Sequence, residues 1–260
     1  MQSFASLRRR ALDWLALARR EIGPIAVVLL VGACLLAFRH IAEEVGEGDT
    51  RAFDRGIIYA LRTPGDPHRP IGPDWLITAA LDVTSLGSIT LLGILVILVC
   101  GLFLSLRRFR EAVLLLLASG GGLVLTDVLK DLFQRDRPPL ILHAATAMDS
   151  SFPSGHATLS ATVFLTLGAL IAHFAHRRRV RVYALTAAVL LAVTVGCSRV
   201  YLGVHWPTDV LAGWCVGSAW ALLWWGVAIG WERFSRHRFS AEAPEQIEDG
   251  ADAGVLSEGA

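Results

Sequence analysis

The stretch "LGSITLLGILVILVCGLFLSL", residues 86–106, decides the fold, because it runs its whole length without one charged side chain. Its length matches the ~20 residues that carry an α-helix across a hydrocarbon core. Similar apolar blocks lie on either side of it, at about 22–38, 112–130, 156–175, 182–202 and 208–231. Six such blocks predict an all-α, polytopic membrane bundle with six transmembrane helices. Composition agrees, with 54% hydrophobic and 18% charged residues over 260 positions, which is more apolar than an ordinary soluble domain of this size.

The segments between the blocks set the organisation. Residues 39–85 are too polar to span, and "RAFDRGIIYALR" and "DWLITAALDVTS" within them have the amphipathic pattern of interfacial helices. The amino end is basic before an apolar block, like a secretory signal, and "LLVGAC" resembles a lipoprotein cleavage box ending at Cys34. The apolar run continues through "LLAF", so the block is read as a retained helix. Cys34, Cys100, Cys197 and Cys215 all fall inside apolar blocks, without metal-site or disulfide spacing. No internal repeat is evident.

Arginine placement predicts orientation. The amino end, the 107–111 and 176–181 loops and the segment after the last block are arginine-rich, whereas 39–74 holds more carboxylates than arginines. By the positive-inside rule both termini are cytoplasmic, and 39–85, 131–155 and 203–207 lie on the outer side of a plasma or inner membrane. The chain then divides into a cytoplasmic basic segment (1–21), a six-helix membrane domain (22–235) carrying 39–85 as an extracytoplasmic segment, and a disordered cytoplasmic tail (236–260).

Three polar stretches converge on the predicted outer face: "LKDLFQRDRPPL" at 129–140, "SSFPSGHATLS" at 150–160 and "CSRVYLGVHWPTDV" at 197–210. The first contains the only lysine, Lys130, in a chain whose other basic side chains are arginine. Lys130, Arg137 and Arg199 bring cations to the edge of hydrocarbon, where each is costly unless an anion relieves it. Phosphate suits the arginine fork and the lysine point charge. Ser154 and Gly155 sit at a helix amino terminus, where free N–H groups favour an anion. His205 and Asp209 are one helical turn apart, so the carboxylate would orient the imidazole and leave its other nitrogen free as a nucleophile. His156 supplies a second proton-handling group.

Taken singly, each residue has a structural reading. Arg199 suits a snorkelling anchor, Lys130 an ion pair with Asp127 one turn back, and His205 with Asp209 a satisfied buried pair. "ASGGG" at 118–122 lies within a span and suits close helix packing.

"KDLFQRDRP", "PSGH" and "SRVYLGVHWPTD" together resemble the three-part pattern of the type 2 phosphatidic acid phosphatase family. The resemblance implies a six-helix membrane enzyme hydrolysing a lipid phosphate, without metal or cofactor. It implies that His205 attacks phosphorus, Asp209 orients it, and His156 protonates the leaving oxygen. Lys130, Arg137, Ser154, Gly155 and Arg199 would hold the phosphoryl oxygens. Undecaprenyl diphosphate is the favoured substrate, because that carrier is recycled on the outer side, with phosphatidylglycerol phosphate and phosphatidic acid as alternatives. The expected partners are the lipid-phosphate substrate and membrane lipids, not nucleic acid; oligomeric state is not readable. Vanadium haloperoxidases share the pattern but are soluble. A phosphotransferase, or a lipid-binding or transport protein with a vestigial site, are the competing functions.

Overall fold

The computed structural model describes residues 4–146 and 149–241, with side chains placed for 23–146 and 149–231. Eight helices follow in order: α1 (Phe4–Glu47), α2 (Arg51–Ala60), α3 (Asp74–Ser85), α4 (Ile89–Ser105), α5 (Phe109–Phe133), α6 (Gly155–Phe174), α7 (Arg178–Tyr201) and α8 (Pro207–Ala241). A short antiparallel hairpin, β1 (Arg62–Thr63) and β2 (Asp66–Pro70), lies between α2 and α3.

Five helices are long and apolar enough to cross a membrane, and α3 with α4 forms a sixth such unit across a 48° bend. On its own α4 is about 25 Å long at 1.5 Å per residue, short of a ~30 Å hydrocarbon core. The expected span at 86–106 is therefore the second limb of a broken element. Its start is set by Ser88, whose hydroxyl accepts the Leu91 N–H at 3.2 Å.

Three boundaries differ from expectation. The first helix continues past residue 38, because "RHIAEEVGE" contains no proline, its one glycine comes only in the last turn, and Arg39 pairs with Glu43 one turn on at 3.4 Å. It stops where Gly48 adopts φ +86° and the Gly48 and Asp49 amides return to the Glu44 carbonyl. The basic amino-terminal segment is helical from Phe4, and the last helix runs through Ala241, past the expected start of a disordered tail at 236. Residues 242–260 of that tail lie outside the described residues. The two amphipathic stretches of 39–85 do form helices, α2 and α3.

Helix α6 is the hub, in contact with α4, α5, α7 and α8. Small residues let its neighbours approach. A Cβ on Gly217 of α8 would lie 2.4 Å from the Thr158 carbonyl oxygen, and one on Gly213 2.8 Å from that of Ser154. Two tryptophans of α8 use glycines in the same way. Trp220 covers Gly121 of α5 and donates its indole N–H to the Ala118 carbonyl at 2.8 Å; Trp214 covers Gly196 of α7 and donates to Ala192 at 3.0 Å. The "ASGGG" stretch is thus a helix-packing surface.

The end of α5, the start of α6, the end of α7 and the start of α8 fall at one end of the bundle. The arginine-rich stretches 107–111 and 176–181 lie at the other. The α2–β hairpin segment is tied to the first end by Arg62, which is buried and donates to the Leu61 and Tyr201 carbonyls at 3.0 Å and to Leu142 at 2.8 Å. Gly203, at φ +74°, makes room for it, since a Cβ there would lie 2.1 Å from the guanidinium.

We expect Gly217→Ala to overpack the α6–α8 contact and destabilise the protein by about 1–3 kcal/mol. Gly120→Ala, where a Cβ meets nothing within 4 Å, should not lower the melting temperature of the detergent-purified chain. Equal melting of the two variants would show that the glycine contact does not set this interface.

Candidate active site

Helix α5 carries Lys130 in its last turn and ends at Gln134, which adopts a left-handed φ of +43° and donates its N–H to the Lys130 carbonyl at 3.0 Å. This turn sends Arg135 and Arg137 back across the end of the bundle. Ser154 is the N-cap residue of α6, with Gly155 and His156 in the first helical turn. Arg199 closes α7, and Pro207 opens α8 at the position where its missing N–H costs nothing.

These elements enclose a cavity of about 170 Å³ lined by Lys130, Arg137, Gly155, His156, Arg199 and His205, together with Asp127 and Asp149. That volume suits a phosphoryl group and not a whole lipid. Of the residues expected at the site, only Ser154 and Asp209 are not among those lining it. Ser154 is wholly buried beside Gly155, with its hydroxyl unpartnered. Asp209, equally buried, lies behind His205.

The tautomer of His205 follows from its neighbours. Its Nδ1 lies 2.9 Å from the Ser151 carbonyl oxygen, which can only accept. Its Nε2 lies 3.1 Å from Arg137 Nη1, which can only donate. The proton therefore sits on Nδ1, and the Nε2 lone pair faces the cations of the cavity. Burial first, and then the charges of Arg137, Arg199 and Lys130, push this imidazole well below its ordinary pKa, so it is neutral at pH 7.

Asp209 lies beside the His205 ring without a direct hydrogen bond to it. Its Oδ2 is 3.6 Å from Nδ1, beyond a hydrogen bond. It instead accepts from the Ser151 hydroxyl, which itself lies 3.4 Å from Nδ1, and from the Trp206 N–H at 2.8 Å. The carboxylate acts through Ser151, because the turn into α8 points it at the helix's own first amides.

Arg135 was not among the expected site residues, yet it joins three elements. Its Nη1 donates to Asp209 Oδ1 at 2.5 Å and Thr208 Oγ1 at 2.8 Å, and its Nη2 donates to Asp54 Oδ2 at 2.7 Å. Asp54, on α2 and only 1% exposed, also accepts the Thr208 N–H and hydroxyl. A residue of the 39–85 segment thereby caps the helix that follows the histidine. Its sequence signal is faint: one aspartate on the inward face of an amphipathic helix.

The two single-residue readings resolve differently. Lys130 pairs not with Asp127 but with Asp149, which also accepts from Arg137 Nη2 at 2.5 Å. Asp127 is exposed at the cavity wall. Arg199 does not snorkel; it is 5% exposed and donates to Thr84 Oγ1 at 3.1 Å, while its Nε has no partner. His156 borders the cavity opposite the bend between α3 and α4, where a Cβ on Gly87 would come 3.3 Å from its ring.

Comparison with known proteins matches this frame. The sequence profile of the PAP2 superfamily matches residues 111–232. The chain is 38% identical over 149 residues to phosphatidylglycerophosphatase B of Bacillus subtilis, covering 55% of this chain and 70% of that protein. It is 34% identical over 126 residues to an undecaprenyl-diphosphatase of Sulfolobus acidocaldarius, covering 46% of this chain and 57% of that one. The crystal structure of a transmembrane PAP2 type phosphatidylglycerolphosphate phosphatase from Bacillus subtilis superposes with a TM-score of 0.69 at 28% identity, over 82% of this chain and 99% of the other. With its three motifs gathered at one end of a helical membrane bundle, the chain belongs to the PAP2 superfamily and is a multi-pass membrane phosphatase.

Proposed function

We propose that this chain removes the terminal phosphate of a membrane lipid through a phosphohistidine formed at His205. One observation carries this reading: a neutral imidazole whose Nε2 lone pair is aimed, beside Arg137, into a cavity lined by three cations. Nε2 attacks phosphorus while the bond to the leaving oxygen breaks in line, and His156, which takes up a proton as the anionic substrate enters beside it, gives that proton to the leaving oxygen. Water then attacks the phosphohistidine, passing its proton back to His156. The N–P bond breaks, and inorganic phosphate leaves. Lys130, Arg137 and Arg199 meet the charge on the phosphoryl oxygens, and the free Ser154 hydroxyl and Gly155 N–H complete the cradle. Since fixed cations fill the role a divalent ion would take, the reaction is proposed to be metal-independent.

Among substrates, the outer-face location inferred from arginine placement favours undecaprenyl diphosphate. The likeness to phosphatidylglycerophosphatase B of Bacillus subtilis is higher in identity, 38% against 34% for the undecaprenyl-diphosphatase, and the superposed crystal structure is that of a phosphatidylglycerolphosphate phosphatase, so we place phosphatidylglycerol phosphate first. Phosphate release from these two lipids and phosphatidic acid, assayed side by side, tests the order. A preference for either undecaprenyl diphosphate or phosphatidic acid would overturn it. A reporter fused into the 139–146 connection should be read on the outer side; cytoplasmic activity would reverse the orientation.

His205→Ala should lower turnover by about 10³-fold or more while the protein still binds vanadate, and the wild type should keep its activity in excess chelator. Strict dependence on added magnesium would remove the metal-free mechanism. Arg135 and Asp54 touch no phosphoryl oxygen on this reading and position His205 through Asp209 and Ser151. Arg135→Ala should therefore lower kcat by about 10²-fold, the cost of a misplaced reacting group, with little change in KM. Lys130→Ala should chiefly raise KM. A rise in KM alone for Arg135→Ala would make it a substrate contact instead.

A further inference from the structure

The cavity already receives an anion, and it comes from the chain itself. Asp149, on the connection between α5 and α6, sets one carboxylate oxygen on Lys130 Nζ and the other 2.5 Å from Arg137 Nη2; its backbone carbonyl takes Arg137 Nε at 2.7 Å. Arg137 thus turns towards Asp149 the same fork of donors that a phosphoryl group would use. The Asp149 side chain is 59% exposed, so it can leave towards solvent without opening the core. Arg199 and the Ser154 hydroxyl take no part in this contact.

We propose that Asp149 is a specificity-determining residue: its carboxylate competes from within the chain for the phosphate cradle, so that a dianionic phosphomonoester displaces it and a monoanionic phosphodiester does not. The inference rests on reading this cavity as the phosphoryl site. A tethered competitor is present at an effective concentration of about millimolar or higher. A phosphodiester matches it in charge, with one negative charge and two free oxygens, and gains little by exchange. A phosphomonoester brings a second charge and a third oxygen, which can also engage Arg199 at the cavity wall. Phosphodiester headgroups make up the bulk of a phospholipid bilayer, so an open site of three cations would be filled by them. An internal anion is a form of selection against the abundant wrong ligand.

The competitor is not titrated away in ordinary conditions. Burial opposes ionisation of Asp149, but hydrogen bonds and charge from Lys130 and Arg137 outweigh it and hold the carboxyl at about 2. A depressed carboxyl pKa means that the contact is complete above the ordinary value of 3.8 and is lost only as pH falls towards 2.

The test uses the full chain in detergent at pH 8, with inorganic phosphate and dimethyl phosphate as competing inhibitors of lipid-phosphate hydrolysis. If the plugged form is about 90% populated, Asp149→Asn and Asp149→Ser should each lower the inhibition constant of phosphate by about tenfold. In both variants dimethyl phosphate should become an inhibitor, while Asp149→Glu stays close to wild type. Unchanged constants for both ions in the Asn and Ser variants would overturn the proposal. So would a wild-type chain that dimethyl phosphate inhibits as strongly as phosphate, a result that needs no variant to fold. Failure of phosphate to inhibit any form would instead remove the reading of the cavity itself.

Discussion

Positive charge buried at the rim of an apolar bundle is the constraint on which the rest of this structure depends. A desolvated cation costs several kcal/mol unless partners replace its water, and the fold treats its cations in two ways. Arg135 lies between the buried carboxylates of Asp54 and Asp209, and Arg62 gives its N–H groups to three backbone carbonyls. Both hold segments together, although the buried Arg62 Nε is without a partner. Arg199 has a single hydroxyl, and Lys130 and Arg137 share one largely exposed carboxylate. Arg137 also donates to the Val204 carbonyl and to His205 Nε2, so the cations around His205 are held in place, yet the carboxylate that Lys130 and Arg137 share is exposed enough to be exchanged for a ligand.

Helix packing bears directly on that cluster. The Ser154 amide donates to the Asp209 carbonyl at 3.0 Å, so the amino terminus of α6 is bonded to the first turn of α8. Gly213, where a Cβ would meet the Ser154 carbonyl oxygen, permits this approach. The small residues between α6 and α8 therefore fix the separation between the Ser154–Gly155 cradle and the histidine, besides filling the interior.

Much of this was legible in the sequence, and the misses have physical causes. Uninterrupted apolar blocks announce spans because each needs the same length, and the three motifs carry their spacing within short segments. The bend between α3 and α4 was hidden, because "LGSITLLG" is apolar on both sides of its break. Helix spacing pairs Lys130 with Asp127, whereas its partner comes from a loop, where no periodicity applies. Asp54 and Arg135 are separated by 81 positions, and no local rule couples an amphipathic helix to a motif so distant. Ser151 was overlooked because the rule linking His205 and Asp209 treats them as a direct pair, while the turn before Pro207 rotates the carboxylate towards the Trp206 amide.

Ser151 also explains how one connection can both block the site and hold the nucleophile. Its amide donates to the Arg135 carbonyl at 2.9 Å, its carbonyl fixes the His205 tautomer, and its side chain reaches Asp209. It is wholly buried, whereas Asp149, two residues earlier, is exposed and bound only through its contacts with Lys130 and Arg137. The anchored part of the connection thus begins at Ser151. A carboxylate leaving Lys130 and Arg137 can swing about the Ser150–Ser151 junction without loosening the hydrogen bond that keeps Nε2 unprotonated. Displacement of the internal anion by a phosphoryl group and readiness of the imidazole to attack it are then mechanically independent, although a single residue, Ser150, separates the groups responsible.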